Sequence, residues 1–285
     1  MRIGINLLLW TGHVTRDLRP VLEEIAATGF DGVEVPIFDA TDPAHYRDLG
    51  RLLDDLGLAR TVSSAFTGAA GNPVSPDEPE QAAARTFLGD VVNCTAELGA
   101  DMVVGPMFQQ LGQFTGVGPT ESELERCAAF LSDMVPQLDG RGVTLALEPL
   151  NRFEAYLLNT AEQGQALCSR VGHSRVGVLY DTFHANIEEK DPVTALGDLH
   201  ASGRLVHVHI SENDRGTPGK GHAKIRETIH LLDALDYDGW LTIEAFGKAV
   251  PELAAATCVW RDFFADPLEV VHEGHAYIRD RLETA

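Results

Sequence analysis

The sequence predicts an α/β protein of the (β/α)8 barrel class with an extra C-terminal helix. Three observations predict it. Eight short apolar runs are spread along the 285 residues, and most are followed by apolar residues at helical spacing. No GxGxxG follows the first run, so the runner-up, a doubly wound open sheet built around a nucleotide, lacks its phosphate loop. No linker divides the chain, and one barrel accounts for its length, so residues 1–285 read as a single domain.

The elements follow in order. RIGINLLLW (2–10) is too short to be a membrane span and has no small-residue cleavage site, so it reads as the first strand. In LRPVLEEIAATGF, Leu18, Val21, Leu22 and Ile25 share a helix face, and Gly29 supplies the left-handed cap. GVEVPIF (32–38) is the second strand, and YRDLGRLLDDLGL is a helix stopping at Gly57. ARTVSSAF (59–66) is the third strand. The longest irregular stretch, TGAAGNPVSPDEPE (67–80), reads as a loop over the barrel mouth, and ARTFLGDVVNCTAELGA as a helix capped by Gly99. DMVVGPMF (101–108) precedes the helix in LERCAAFLSDMVPQLDGRG. GVTLALEPL (142–150), VGVLYDTFH (176–184), LVHVHISEN (205–213) and WLTIEAF (240–246) complete the eight, with Gly239 as a further cap. DPLEVVHEGHAYIRDRLET is the extra helix, and Trp260, Phe263 and Phe264 of VWRDFF are expected to pack between barrel and tail or under a subunit interface.

Composition narrows the function. The net charge of −21 repels nucleic acid, whose binding depends on Lys and Arg neutralising phosphates, and it disfavours heavily phosphorylated substrates. No run approaches the ~20 apolar residues of a membrane span. The four cysteines, Cys94, Cys127, Cys168 and Cys258, are scattered without a CxxC pair, which fits a reducing cytoplasm and neither a zinc ribbon nor a redox couple.

Barrel enzymes build their sites at the C-terminal ends of the strands. Four successive ends carry ligand-type residues: Glu148, Asp181, His209 and Glu244. Alternation tests whether they converge. Val143, Leu145 and Leu147 share one face and oppose Glu148; Val176, Val178 and Tyr180 oppose Asp181; Val206, Val208 and Ile210 oppose His207 and His209; Leu241, Ile243 and Ala245 oppose Glu244. The apolar sets suit the layer beneath the helices, so the four candidates point into the barrel. Three buried carboxylates repel one another unless a cation holds them. Carboxylates with one imidazole suit Mn²⁺, Mg²⁺ or Co²⁺ better than a thiolate-seeking metal. His207, deeper on the same face, reads as a core or supporting histidine. The other histidines, among them His13, His45, His272 and His275, are expected on exposed helices and loops without partners.

These residues carry a resemblance. LEPLNRFE (147–154), LYDTFHANIEE (179–189), HVHISENDRG (207–216), TIEAF (242–246) and VWRDFF (259–264) resemble the ketose 3-epimerases of the xylose-isomerase-like barrel superfamily, which act on D-tagatose, D-fructose, D-psicose or L-ribulose. The resemblance implies one divalent cation, Mn²⁺ first, with Co²⁺ or Mg²⁺ as alternatives, held by Glu148, Asp181, His209 and Glu244. It implies Glu148 and Glu244 as the two catalytic carboxylates, Glu154, His184 and Arg215 as substrate contacts, and a homodimer or homotetramer. The loops SSAFTGAAGNP and GPMFQQLGQF and the segment PGKGHAKI depart from the family pattern, which leaves the preferred ketose open. Related barrel enzymes of the hydroxypyruvate isomerase or inosose dehydratase kind, a non-catalytic sugar-binding barrel and a barrel nuclease are the competing expectations. NRFE and DTFHANIEE favour the epimerase over the first, the paired glutamates argue against the second, and the acidic charge against the third.

Overall fold

Eight parallel strands close on themselves in sequence order in the computed structural model, which describes residues 1–284. They are β1 (Arg2–Asn6), β2 (Gly32–Pro36), β3 (Ala59–Ser63), β4 (Met102–Gly105), β5 (Thr144–Leu147), β6 (Val176–Asp181), β7 (Leu205–Ile210) and β8 (Trp240–Ile243). β1 pairs with both β2 and β8, which closes the barrel. The outer layer is α1 (Arg19–Thr28), α2 (Pro43–Asp55), α3 (Glu78–Leu98), α4 (Glu121–Arg141), α5 (Ala161–Val171), α6 (Thr182–Glu188), α7 (Pro192–Ala201) and α8 (Ile225–Ala234).

The alternation read from the sequence divides the core in two. Outward residues such as Val33, Leu145, Val178, Val208 and Ile243 join the layer beneath the helices. A separate small cluster of Val104, Ala146 and Leu179, with Met102 and Val206, fills the barrel interior. Val206 corrects the expected alternation. The register of β6 against β7 jumps between Val178 and Leu179, so β7 carries a bulge. Gly177 leaves the space that Val206 occupies: a Cβ there would lie 2.6 Å from Val206 Cγ1. The bulge restores the parity for His207 and His209, which do point inward.

Helix ends follow the expected chemistry with one exception. Gly29, Gly57 and Gly99 all take left-handed dihedrals, but Gly239 does not. After α8 the left-handed residue is Asp236, at φ 54°, and Gly239 instead makes room for the Tyr237 ring. Beyond β8 the chain adds α9 (Pro251–Ala256) and the expected C-terminal helix, which opens as α10 (Pro267–Glu269), widens into a π turn at Val270–Gly274 and continues as α11 (His275–Glu283). The π turn packs on α1 and α11 on α8. Phe264 packs on the main core and Phe263 on a smaller cluster of Leu8, Phe246, Ala254 and Val259. Trp260 does not pack between barrel and tail and is 72% exposed. Among the described residues, no helix is long and apolar enough to cross a membrane.

Candidate metal centre and sugar pocket

The strand ends of β5 to β8 converge. Glu148, Asp181, His209 and Glu244 each bring a ligand atom within 4.8 Å of all the others, and all four are buried. Local structure fixes each one. Glu148 leaves β5 with its N–H on the carbonyl of Gly105 (3.0 Å), and Pro149 ends the strand. Asp181 is both the last residue of β6 and the N-cap of α6; its Oδ1 accepts the N–H of His184 at 2.8 Å, which leaves Oδ2 for the site. Glu244 follows β8, its N–H on the carbonyl of Ile210 and its carbonyl accepting from Ser211 Oγ. His209 turns Nδ1 to the carboxylates, 3.7 Å from Glu148 Oε1, 3.8 Å from Asp181 Oδ2 and 3.6 Å from Glu244 Oε1.

The cluster fits a divalent cation. Glu148 Oε1, Asp181 Oδ2 and His209 Nδ1 are buried polar atoms without a hydrogen-bond partner. Such atoms are costly unless something pairs them. Burial pushes the carboxyls of Glu148, Asp181 and Glu244 up, Glu244 furthest, and His209 opposes this in each case. Burial would lower His209, but Glu34, Glu244 and Glu148 raise it well above its ordinary value. A bound cation would favour the deprotonated form of all four groups. Three oxygens and one imidazole nitrogen form a hard set, suited to Mn²⁺, Mg²⁺ or Co²⁺.

A cavity of 380 Å³ opens onto the cluster and is lined by six of the seven expected site residues; Asp181 lies behind them. Arg215 and Glu154 face each other as a fork-to-fork pair, Nη1 to Oε1 at 3.0 Å and Nη2 to Oε2 at 3.1 Å. The guanidinium lies between two rings, 4.1 Å from the centre of Phe183 and 5.0 Å from that of Phe246. Arg215 holds a left-handed backbone at φ 62°, an uncommon conformation for a side chain of its size. His184 is buried, and burial followed by the Arg215 charge holds its pKa well below the ordinary value, so the ring is neutral. Its Nδ1 accepts the N–H of Asn151 at 2.9 Å. The proton therefore sits on Nε2, which faces the cavity 3.6 Å from Glu148 Oε1.

The structure adds residues that the sequence reading passed over. Asn151, inside the NRFE segment, orients both His184 and Glu154, donating from Nδ2 to Glu154 Oε1 at 2.8 Å. Glu34, in the middle of β2, is fully buried and bonds the far side of His209 at 2.9 Å. The same alternation test, applied to GVEVP, puts Glu34 on the inward face. Glu212 is buried too and accepts the N–H groups of Asn213, Gly219 and Ala223, which folds the loop that presents Arg215. The outlying histidines mostly find partners: His13 stacks on His45, His272 pairs with Glu24 at 3.3 Å, and His275 reaches the carbonyl of Gly29.

A parallel barrel whose strand ends gather three carboxylates and an imidazole beside a hydroxyl-sized polar clamp defines a metal-dependent sugar enzyme. The profile of the xylose isomerase-like TIM barrel family matches residues 22–280. An L-ribulose 3-epimerase of Mesorhizobium japonicum is 33% identical over all of this chain and 95% of its own length. A ketose 3-epimerase of Arthrobacter globiformis is 30% identical over 99% of this chain and 97% of its own. Among solved structures, an L-ribulose 3-epimerase superposes with a TM-score of 0.92 at 32% identity, covering 99% of this chain and 95% of the other. A D-psicose 3-epimerase of Clostridium cellulolyticum H10, solved with D-tagatose, gives 0.87 at 28% identity over 99% of both chains. The chain belongs to the ketose 3-epimerase family of xylose-isomerase-like barrels.

Proposed function

We propose that this chain inverts C3 of free keto-sugars, with Glu148 and Glu244 exchanging the proton. The enzyme is a metal-dependent ketose 3-epimerase. The observation that carries the assignment of roles is the convergence of buried, unpartnered Glu148 Oε1, Asp181 Oδ2 and His209 Nδ1 at the floor of the sugar-sized cavity. Mn²⁺ is the cation that the proposal names, with Co²⁺ or Mg²⁺ as alternatives.

Epimerisation removes the proton beside a carbonyl and returns one to the opposite face. Glu148, Asp181, His209 and Glu244 would hold the cation, which when bound supplies positive charge to the sugar oxygens where negative charge develops. Glu148 and Glu244 stand on strands three positions apart around the ring, so a sugar lying between them offers one face of C3 to each. One carboxylate takes the C3 proton and leaves an enediolate; the other delivers a proton from the far side. In the cation-free fold burial raises both carboxyls, Glu244 well above its ordinary value; a bound cation would counter that shift and leave them free to act as bases. His184 donates from Nε2 to a substrate oxygen. The Arg215–Glu154 pair offers a donor and an acceptor to neighbouring hydroxyls and holds C3 in line. The same pair leaves Arg215 charge-compensated, which suits a neutral sugar better than a phosphorylated one. A cytoplasmic homodimer or homotetramer completes the proposal.

The test is turnover in D₂O with D-tagatose, D-fructose, D-psicose and L-ribulose. Deuterium at C3 of the product and loss of turnover after exhaustive chelation are expected. Deuterium at C1 alone would mark an aldose–ketose isomerase, and full activity in chelator would remove the cation from the reaction.

A further inference from the structure

We propose that Glu34 is a positioning residue for the metal centre: it holds the Nε2–H of His209 and so turns an unprotonated Nδ1 toward Glu148, Asp181 and Glu244. The carboxylate sits on β2, across the barrel from β7, with no solvent exposure. Its Oε1 accepts from His209 Nε2 at 2.9 Å and from Asn6 Nδ2 at 2.9 Å. Its Oε2 accepts from Thr61 Oγ1 at 2.8 Å and lies 3.2 Å from His207 Nε2.

An imidazole can ligate through either nitrogen, and the partner of the other nitrogen decides which. A carboxylate only accepts, so His209 donates from Nε2. A neutral ring then carries no proton on Nδ1, and Nδ1 is the atom that stands 3.6–3.8 Å from the three carboxylates. Asn6 extends the arrangement to a second ligand. Its Nδ2 donates to Glu34 Oε1 and also to Glu244 Oε1 at 3.3 Å, while its Oδ1 accepts the N–H of Leu8. Glu34 therefore fixes the imidazole directly and, through Asn6, shares a donor with one of the two glutamates assigned to proton exchange. Glu34, His207 and His209 also lie close enough to form a cation site of their own. The donors from Asn6, Thr61 and His209 already occupy both oxygens of Glu34, so the geometry assigns it to orientation instead.

The inference rests on the four-residue cluster holding a cation, and one measurement separates the two. Wild-type protein labelled with ¹⁵N-histidine is loaded with ¹¹³Cd²⁺. The expected spectrum has one histidine coupled to cadmium through Nδ1, with a proton on Nε2 of the same ring. Coupling through Nε2, or cadmium coupled to two histidines, overturns the role of Glu34; no coupled histidine at all overturns the metal centre with it. Glu34→Gln gives a second readout. It should weaken Mn²⁺ binding, followed by the electron paramagnetic signal of the free ion, by about 10- to 100-fold. Thr61→Val, which disturbs the same carboxylate but leaves its bond to His209, should not. Equal weakening by both variants, or none in Glu34→Gln, sinks the proposal.

Discussion

The two halves of the barrel rim are built from different materials. The ends of β5 to β8 present Glu148, Asp181, His209 and Glu244, and their loops add His184 and Arg215. The ends of β1 to β4 present Leu8, Phe38, Ser63, Ala65 and Gly105 to the same cavity. At Gly105 the wall is bare backbone: φ is 130°, and a Cβ would lie 2.2 Å from the carbonyl oxygen of Ser64. One half carries charge that must meet a cation, and the other carries shape. Chemistry and sugar preference should therefore respond to substitutions in different halves.

The largest effect should come from the charged half. Glu244→Gln keeps the volume and removes the proposed base, so kcat should fall on the order of 10³-fold. The protein should stay folded, because the carboxyl is already pushed toward its neutral form by burial. Single-turnover kinetics with circular dichroism as the folding control decides this. A rate within a factor of a few of wild type would move proton exchange away from β8.

Stability should report the same half through pH. Glu148, Asp181 and Glu244 have raised carboxyls and His209 a raised imidazole in the cation-free fold. These four groups thus bind more protons in the folded chain than in the unfolded one. That stabilisation is complete below the ordinary values of 4.5 for Glu, 3.8 for Asp and 6.5 for His and is lost as pH rises through the raised ones. A cation needs the same four groups deprotonated, so its contribution grows with pH. His184 and His207 lie outside the cluster and are lowered first by burial, which loading does not change. The gap in Tm between Mn²⁺-loaded and chelated protein should be on the order of 10 °C near about pH 8 and shrink to a few degrees near about pH 5. A gap that does not change with pH would show that the four groups are not ligands.

The contrast between the halves also explains what the sequence disclosed. The barrel was legible because period-two apolar runs alternate with helical ones. The cluster was legible because an ionisable residue ending an apolar strand is a conflict that only a shared partner resolves. Glu34 is harder to read because it stands mid-strand, between Val33 and Val35, and not at a strand end. Val206 escaped because a bulge depends on the missing side chain of Gly177 on the neighbouring strand, and alternation within β7 carries no trace of it. The π turn depends on tertiary space in the same way: a Cβ on Gly274 would meet Ile243 at 2.9 Å. Single-strand patterns report a strand's own faces; these features are set by its neighbours.

Between the halves lies the Arg215–Glu154 clamp. Arg215→Lys keeps the charge but loses the planar fork, the second bond to Glu154 and the stacking between Phe183 and Phe246. Turnover should drop about 10- to 100-fold with Mn²⁺ affinity unchanged if, as proposed, the clamp touches substrate and not the cation. Parallel measurement of kcat and the Mn²⁺ dissociation constant checks this. A matching loss of metal binding would mean that the clamp supports the cluster itself.

The smallest effect belongs to the apolar half and is the sharpest test of the division. Phe38 lines the cavity and packs with Leu8, Phe246 and Ala254 at the mouth, where Leu253 of α9 joins it. None of these residues belongs to the four-residue cluster of Glu148, Asp181, His209 and Glu244. Phe38→Ala enlarges the far wall and removes contact from whichever part of the sugar lies away from C3. Partial loss of apolar contact is worth about 0.7–1.4 kcal/mol, the low end of apolar discrimination, so ratios of kcat/KM between ketoses should shift by about threefold to tenfold. The shift should appear mainly in KM, since the lost contact serves bound substrate and transition state alike. Deuterium incorporation at C3 should be unchanged, because the two glutamates proposed to exchange the proton stand at the ends of β5 and β8. If Phe38→Ala altered the position of labelling, or lowered kcat as deeply as Arg215→Lys, the apolar wall would be positioning the reacting carbon, and the division between charge and shape would fail at the rim.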